Sequence, residues 1–560
     1  MVARGLRRPL VACLVLLASY IALSFLNDPR GYLGTDTGGK VATLRSMEAS
    51  GRFDPDVGYW AEQWDPSGRL HPLYYTSHLG EKWVNATTLP ALYAALPLYR
   101  LGGYRLALLI PMLGSVLTAL AARALARRMT DDDGDRCGDG GWAAFWAVGL
   151  LSPIAIYALD FWEHSLGVAL LLWAAVFLVD VARGRAGWKA AAGAGLLIGS
   201  AATMRTESLV YGAVAAGGAC LFLLVRSRDL VRPLVAGLAL TACVALPLAA
   251  NMALERATIG GTVRSDRVSG TAQLVGTVGG SRLQEGALTA VGFEPALGNG
   301  PVVAGLLGLG LLVAAAIALA SGNVRVGVVA GSALAALYLV RFSTGLGFIP
   351  GLVTASPLAG MGVALGWRSV TSRLAIALAV LALPVVWLFQ FLGGATAQWG
   401  GRYVLTSSVL LTVAGVVAAA RLPARARMAA FGLAGAVTVF GLAWLSVRSH
   451  DVARAEAALV RRPEPVLVSR IAHLAREGGG FYGDRRWLTA VTADEVLFSG
   501  DVLTRAGITT FGLVEPATAA PASPVPGFTA EGTARLRLFS DYDLRITTFR
   551  ANTSSVKSSP

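Results

Sequence analysis

The chain has 560 residues, of which 54% are hydrophobic and 15% are charged, and its mean hydropathy is +0.58. Soluble domains usually carry roughly 25% charged and about 45–50% apolar residues, so this composition excludes a soluble enzyme and a disordered scaffold. The net charge of +14 fits the basic cytoplasmic loops of a membrane protein better than a nucleic-acid-binding surface. Glycine is abundant, as in membrane helices that pack closely. We therefore predict an all-α polytopic membrane protein.

Apolar runs long enough to cross a bilayer, about 20 residues each, recur along the chain. They lie near residues 9–26, 105–126, 141–159, 165–182, 188–204, 208–225, 233–252, 301–320, 324–341, 349–367, 374–392, 403–420 and 428–447. These runs predict thirteen transmembrane helices. The first run follows a basic N-terminus, but no small-residue cleavage pattern follows it. We therefore interpret it as a retained span and not as a secretory signal.

The arginines predict the orientation in the plasma membrane. If the N-terminus is cytoplasmic, most basic clusters between spans fall on the cytoplasmic side, as the positive-inside rule requires. These clusters are Arg123–Arg128, Arg183–Lys189, Arg226–Arg232, Arg368–Arg373 and Arg421–Arg427. An odd number of spans then places the C-terminus and all five histidines on the exoplasmic side. We expect the functional face of the protein to be exoplasmic.

Residues 1–448 form the predicted transmembrane domain, and two long exoplasmic loops interrupt it. In the first loop, residues 27–104, the segment Gly38–Ser50 predicts an amphipathic helix. The segment Trp83–Tyr99 is apolar but contains two prolines, which favours an interfacial or re-entrant helix. The second loop, residues 253–299, is rich in Gly, Thr and Ser, and we expect it to be mobile until a ligand orders it.

The tail, residues 449–560, alternates between helical and strand-like patterns, which predicts a small exoplasmic α/β lobe. We expect helices over Val466–Glu477 and Trp487–Val502, strands over Ile508–Val514 and Ala534–Phe549, and a disordered end over Ser554–Pro560.

Asp36 is the first candidate for chemistry, because it lies among glycines shortly after the first span. A carboxylate at the membrane rim can act as a general base. The alternative is structural: Asp36 or Thr37 caps a helix that begins at Gly38. Further along the loop, Asp54 and Asp56 have two interpretations: they bind a metal ion, or they belong to a solvated turn.

A second group of ionisable residues lies in the hairpin between two spans, at Asp160, Glu163 and His164. Ionisable groups this close to the bilayer are costly, roughly 2.5–3.5 kcal/mol at its centre, and therefore indicate function. The alternative is an interfacial belt anchored by Trp162.

Three arginines at exoplasmic helix ends, Arg205, Arg341 and Arg402, depart from the cytoplasmic bias of the other arginines. The planar guanidinium group binds phosphate through several donors, so these residues suit a lipid phosphate. Two alternatives are structural. The arginines anchor the helix ends by snorkelling, or Arg205 pairs with the neighbouring Glu207.

Four features together resemble the GT-C fold glycosyltransferases, in particular the protein mannosyltransferase and lipid A aminoarabinose transferase branch. They are an acidic residue in a long first exoplasmic loop, the hairpin around Phe161-Trp162-Glu163-His164-Ser165, the turn Arg205-Thr206-Glu207, and the run Gln398-Trp399-Gly400-Gly401-Arg402-Tyr403. The resemblance covers about residues 1–450. It implies a multi-span enzyme that transfers a hexose or pentose from a polyprenyl-phosphate donor, with inversion, to a glycan, lipid or protein acceptor of the cell envelope, without a role for nucleic acid.

The resemblance also implies roles for individual residues. Asp36 matches the first-loop acid, the base or metal-associated residue of the family, and Glu163 and His164 join it as catalytic candidates. The substrate-binding candidates are Arg205, Glu207, Arg341, Gln398, Trp399, Arg402 and Tyr403. Many family members carry two adjacent acids, whereas Thr37 follows Asp36 here. The metal site is therefore left unassigned, and a divalent cation requires a second carboxylate from Asp54, Asp56 or Glu163.

Three other functions remain as alternatives. A polysaccharide polymerase or ligase of another fold usually has its functional loop late in the chain. Here a long exoplasmic loop already follows the first span, which argues against that class. A transporter or flippase of lipid-linked saccharides should show inverted repeats and mid-membrane charges, and the sequence displays neither. A purely structural subunit leaves the tight acidic and basic turns unexplained.

Overall fold

The computed structural model describes residues 2–85, 88–132, 140–262, 299–343, 350–389, 399–520, 525–538 and 543–552. The chain forms two compact units. The first, here called the helical unit, consists of residues 1–25, 108–254 and 264–444, and the second, the mixed unit, consists of residues 26–107, 255–263 and 445–560. Most of the loop predicted to be mobile, and the predicted disordered end, lie outside the described residues.

Helices make up most of the described chain. In chain order they are α1 (Val2–Ser24), α2 (Thr35–Ser50), α3 (Leu89–Ala107), α4 (Leu109–Asp132), α5 (Gly140–Leu150), α6 (Ile154–Tyr157), α7 (His164–Ala182), α8 (Trp188–Met204), α9 (Glu207–Ser227), α10 (Val231–Ile259), α11 (Asn299–Ala320), α12 (Val324–Ser343), α13 (Leu352–Ala355), α14 (Pro357–Leu365), α15 (Val370–Phe389), α16 (Leu405–Ala419), α17 (Ala424–Val460), α18 (Leu474–Glu477) and α19 (Ala493–Arg505).

Seven helices within the described residues are long and apolar enough to cross a membrane. The prediction of an all-α multi-pass membrane domain is confirmed, whereas the count of thirteen spans stays a prediction. One predicted span, residues 349–367, is instead two short helices, α13 and α14. The break falls at Ser356 because the following Pro357 disfavours the helical conformation of the residue before it.

Small residues bring helices of the helical unit into direct backbone contact. A Cβ atom at Gly362 of α14 would overlap the carbonyl oxygen of Leu411 in α16, and one at Gly415 of α16 would overlap that of Leu358. The abundance of glycine therefore serves close helix packing, as the composition predicted.

The mixed unit contains a five-stranded sheet in the order β4-β3-β5-β7-β6. Its strands are β3 (Val466–Ser469), β4 (Arg486–Thr489), β5 (Thr510–Pro516), β6 (Phe528–Leu536) and β7 (Leu544–Ala551), and a separate hairpin pairs β1 (Thr76–Leu79) with β2 (Lys82–Asn85). Strand β3 runs parallel to both β4 and β5, whereas β7 runs antiparallel to β5 and β6. The predicted α/β composition of the tail is confirmed.

Individual assignments in the tail were less accurate. The segments predicted as helices at Val466–Glu477 and Trp487–Val502 each begin with a strand, β3 or β4, before the helical turn α18 or the helix α19. Short buried parallel strands are apolar on both faces, so their sequence does not differ from that of a buried helix. The strand predicted at Ile508–Val514 is confirmed as β5. The run Ala534–Phe549 is not one strand, because its described residues include the end of β6 and most of β7.

The first loop differs from its prediction in two places. Trp83 lies in β2 and not in a helix, because the segment pairs antiparallel with β1, and helix α3 begins only at Leu89. Helix α2 begins at Thr35 and is buried without interruption from Thr37 to Leu44, so it is amphipathic only towards its C-terminal end.

The turn at Asp54–Asp56 is structural. Asp56 accepts hydrogen bonds from the backbone N–H groups of Gly58 and Trp83, and Asp54 pairs with Lys82 at 3.0 Å. Both carboxylates therefore hold the loop together, as the turn alternative predicted.

Candidate active site

Helix ends of the helical unit bring together most of the predicted ionisable residues. Glu163 immediately precedes α7 and His164 is its first residue, while Arg205 follows α8 and Glu207 begins α9. Arg402 and Tyr403 lie in a 3₁₀ turn that leads into α16. Motifs that are far apart in the sequence therefore meet in one cluster.

Arg205 is held by two carboxylates. Its Nε donates to Glu207 Oε1 at 2.9 Å, and its Nη1 donates to Glu163 Oε1 at 3.2 Å. All three side chains are at most 7% exposed. Because two negative charges already surround Arg205, an added phosphate would meet net repulsion there. The arrangement favours a positioning role for Arg205 and Glu163. Arg205 also pairs with Glu207, as one of the two structural alternatives predicted.

Arg402 has a different environment. Its guanidinium lies over the Trp162 ring at 5.3 Å and over the Tyr403 ring at 4.8 Å, and its Nη2 donates to the Tyr403 hydroxyl at 3.2 Å. The side chain is half-buried, and so is that of Tyr403. Cation–π contacts with two rings orient the guanidinium of Arg402.

Aromatic rings form a buried wall beside this arginine. The ring centroid of His164 lies 4.4 Å from that of Trp162 and 5.7 Å from that of Tyr157. Asp160 is buried in the same hairpin. Trp162 therefore packs inside the unit and does not form an interfacial belt.

The other substrate-binding candidates lie elsewhere or outside the described residues. Trp399 is fully buried and packs on Trp444 with ring centroids 5.6 Å apart, which is a core contact. Gln398 lies outside the described residues. The backbone of Arg341 belongs to α12, but its side chain falls outside the described part of the chain.

Asp36 lies in the mixed unit, in the first turn of α2. Its Oδ1 is 3.1 Å from Nη1 of Arg476, a fully buried residue of the C-terminal lobe, and the Asp36 side chain is 26% exposed. Nε of Arg476 donates to the buried Asn85 Oδ1 at 3.3 Å. Asn85 therefore holds Arg476, and Arg476 holds the Asp36 carboxylate, which keeps partial access to solvent.

The alternative that Asp36 or Thr37 caps α2 is wrong. The N-cap residue is Gly34, which has no side chain to bond, and Asp36 lies inside the helix. The adjacent glycines have another role: a Cβ at Gly38 would overlap the Arg476 carbonyl oxygen, and one at Gly39 would collide with Arg476 Nε. They let the segment that carries Arg476 approach the helix backbone.

Sequence reasoning missed Arg476 and Asn85. The available signal was the Gly38-Gly39 pair, since paired glycines in a helix indicate close approach by another backbone or a ligand. Nothing in the sequence identified the tail as the approaching segment.

No group of three or more His, Cys, Asp or Glu side chains converges to hold a metal ion in the part of the chain that is described. The acid nearest to the family's metal-associated position, Asp36, instead faces a guanidinium, which opposes binding of a second cation. The described residues therefore do not fit a divalent cation, and no step below depends on one.

Comparisons with known proteins gave structural matches. ArnT from Cupriavidus metallidurans in the apo state is 16% identical over 100% of both chains, with a TM-score of 0.43. The oligosaccharyltransferase AglB from Archaeoglobus fulgidus is 11% identical over 90% of this chain and 69% of its own, with a TM-score of 0.41. Arabinofuranosyltransferase AftD from Mycobacteria is 15% identical over 97% of this chain and 42% of its own, with a TM-score of 0.44.

These neighbours are GT-C glycosyltransferases, the class that the sequence motifs resemble. At such identities and TM-scores they carry no argument about the reaction, the substrates or the site residues of this chain. No protein-family model and no curated protein sequence matches the chain.

Proposed function

We propose that this protein is an integral-membrane glycosyltransferase that moves a sugar from a polyprenyl-phosphate donor to a cell-envelope acceptor on the exoplasmic face. The observation that carries the proposal is the carboxylate of Asp36, held by Arg476 and partly open to solvent. A fixed and accessible carboxylate in the first exoplasmic segment has the properties of a general base. The orientation rests on the positive-inside rule, which places the N-terminus in the cytoplasm and the C-terminus outside.

The reaction is a single displacement. Asp36 accepts the proton of an acceptor hydroxyl while that oxygen attacks the anomeric carbon on the face opposite the phosphate. The bond between the anomeric carbon and the phosphate oxygen breaks, its electron pair leaves with the polyprenyl phosphate, and the configuration at the anomeric carbon inverts.

We assign the phosphate of the lipid donor to Arg402 of the helical unit, because aromatic rings orient its guanidinium and its side chain is half-buried. Fixed donors aimed at developing charge usually supply a large share of catalysis. Glu163 and Glu207 fix Arg205, whose guanidinium lies 4.8 Å from the Tyr403 ring. We therefore assign positioning roles to Glu163, Arg205 and Glu207.

The donor class follows from the chemistry of the exoplasmic face. Nucleotide sugars are made in the cytosol, whereas a polyprenyl tail holds its phosphate at the membrane interface. A transporter or flippase would place ionisable groups at mid-membrane, but the cluster around Arg205 lies at helix ends.

The substitution Asp36→Asn tests the proposal. We expect it to lower sugar transfer about 10²–10⁴-fold, the usual contribution of a general base, while the protein remains folded, since Asn has the same shape and keeps a polar oxygen beside Arg476. The assay uses the purified full chain in nanodiscs, ¹⁴C-labelled polyprenyl-phosphate hexoses and pentoses, and as acceptor the envelope fraction of a strain that lacks the gene.

Asp484→Asn is the matched control, because Asp484 forms a comparable ion pair with Arg45 at 2.8 Å in the same unit. Its transfer rate should equal that of the wild type. Full activity of the Asp36→Asn variant would refute the assignment of the base.

A further inference from the structure

Two exposed tyrosines lie beside the residues that hold Asp36. Tyr74 is 41% exposed and Tyr75 is 46% exposed, and their rings meet edge to face with centroids 4.4 Å apart. The imidazole of His473 lies 5.0 Å from the Tyr74 ring and 6.0 Å from the Tyr75 ring, nearly parallel to the latter. These three residues, here called the aromatic platform, belong to the mixed unit.

The backbone of the aromatic platform is strained. Tyr75 has φ of +66°, a conformation that is rare for a bulky residue and persists only where its surroundings impose it. The buried Asn85 supplies that constraint, since its Nδ2 donates to the Tyr74 carbonyl oxygen at 3.2 Å and to Thr76 Oγ1 at 3.0 Å. Such strain concentrates at ligand-binding and catalytic positions.

One arginine joins the platform to Asp36. The guanidinium of Arg476 lies 5.3 Å from the Tyr75 ring, pairs with Asp36, and donates to Asn85. Burial and the neighbouring Arg476 lower the pKa of His473, so its ring is neutral at pH 7. Nδ1 of His473 is buried and has no hydrogen-bond partner among the described residues.

The sheet topology places the platform where ligands bind in α/β proteins. His473 follows the carboxyl end of β3, which lies between the parallel strands β4 and β5. The connection after β3 leads to β4 on one side, and the connection after β5 leads to β6 on the other side. At the end of β4, the N–H group of Thr489 donates to the Leu70 carbonyl oxygen and its hydroxyl donates to the Pro72 carbonyl oxygen. These bonds hold the segment that leads into Tyr74 at the same edge.

We propose that Tyr74, Tyr75 and His473 form a subsite for a carbohydrate acceptor. A sugar ring has an apolar C–H face that packs on an aromatic ring and a hydroxyl rim that needs polar partners. The rings of the platform offer the apolar surface, and the Asp36 carboxylate offers a polar partner for the attacking hydroxyl group. This inference rests on the proposed function, since the bound sugar is the acceptor whose hydroxyl proton passes to Asp36.

Binding of defined saccharides tests the subsite. The probes are octyl glycosides of hexopyranosyl and pentofuranosyl disaccharides, measured against the full chain in nanodiscs by saturation-transfer NMR and thermophoresis. We expect at least one of them to bind, and Tyr75→Ala and Tyr74→Ala each to weaken its affinity about tenfold. Tyr75→Phe should keep the affinity within about threefold because the ring face remains.

Phe53→Ala is the matched control, since Phe53 is an exposed aromatic residue of the same unit at 53% exposure, and it should bind like the wild type. Equal affinity of the tyrosine variants and the wild type overturns the subsite. So does binding of none of the saccharides, or binding of Ser/Thr-containing peptides in their place.

The Asp36→Asn variant separates this inference from the proposed function. If it binds saccharide but transfers no sugar, both stand. If transfer depends on Asp36 but substitution of Tyr74 and Tyr75 leaves the saccharide affinity unchanged, only the subsite is refuted. If saccharides bind through the tyrosines but the wild type transfers no sugar to them from any polyprenyl-phosphate donor, the proposed function fails and the binding site stands.

Discussion

At the scale of single residues, His71 is a buried titratable group of the mixed unit. Its ring stacks on Trp83 with centroids 5.2 Å apart, and its Nδ1 accepts the N–H group of Leu73 at 3.1 Å. Nε2 lies 3.2 Å from the Gly58 carbonyl oxygen and must carry the proton. Burial lowers the pKa of His71 to about 4, so the ring is neutral in the folded protein at pH 7.

This environment predicts acid sensitivity. Since the unfolded chain binds a proton near pH 6.5, it gains more protons than the folded chain between pH 6.5 and 4. The free energy of unfolding should therefore fall as the pH drops through this window, by a total on the order of 3 kcal/mol. Thermal unfolding of the full chain between pH 7.5 and 4.5 measures this fall.

The variant His71→Gln isolates the effect, because Gln can donate and accept but does not titrate. Its unfolding should depend less on pH than that of the wild type. An identical pH dependence of His71→Gln and the wild type would contradict the role assigned to burial.

At the scale of secondary-structure elements, the contact between α2 and the Arg476–Gly479 segment fixes the candidate base. A Cβ at Gly479 would overlap the Gly38 carbonyl oxygen, just as one at Gly38 would overlap that of Arg476. Neither backbone can yield without moving Arg476, so the orientation of Asp36 depends on both glycines.

Gly38→Ala should therefore destabilise the mixed unit by about 1–3 kcal/mol, the usual cost of overpacking. Hydrogen exchange of the α2 amides measures the effect. We expect the amides in the first turns of α2 to exchange faster than in the wild type. Gly532→Ala is the control, since a Cβ there has no neighbour within 4 Å. Unchanged protection of α2 in Gly38→Ala would show that the two segments do not pack as described.

Elements differ in how far the sequence predicts them. The bilayer demands long apolar helices, so hydropathy alone located α4, α7 and α9. Strands β3 and β4 have four residues each, and so short an apolar run has no distinctive period. Their assignment depends on the pairing with β5, which no local pattern reveals.

Some residues of the candidate site could also be predicted from the sequence, and others could not. Glu163, Arg205 and Arg402 were predictable because charged groups at the ends of apolar helices are conspicuous. Arg476 was not, since an arginine in a polar tail is unremarkable until the fold buries it against Asp36. Whether a charge is neutralised by neighbours, as in Arg205, also depends on contacts that the sequence does not reveal.

At the scale of the whole molecule, the proposed function concerns the donor of the transferred sugar. We propose that Arg402 of the helical unit binds a lipid phosphate and that Asp36 of the mixed unit accepts a proton. On our proposal, the chain uses a lipid-linked sugar and releases one polyprenyl phosphate for each sugar transferred.

The most direct test of this central claim compares donors. The purified full chain in proteoliposomes receives either ¹⁴C-labelled polyprenyl-phosphate hexoses and pentoses or the corresponding nucleotide sugars, with the same envelope acceptor fraction. We predict transfer from at least one lipid donor, with polyprenyl phosphate and transferred sugar formed in equal amounts, and no transfer from nucleotide sugars. Transfer from a nucleotide sugar in the absence of lipid donor, or no turnover of any lipid donor, would contradict it.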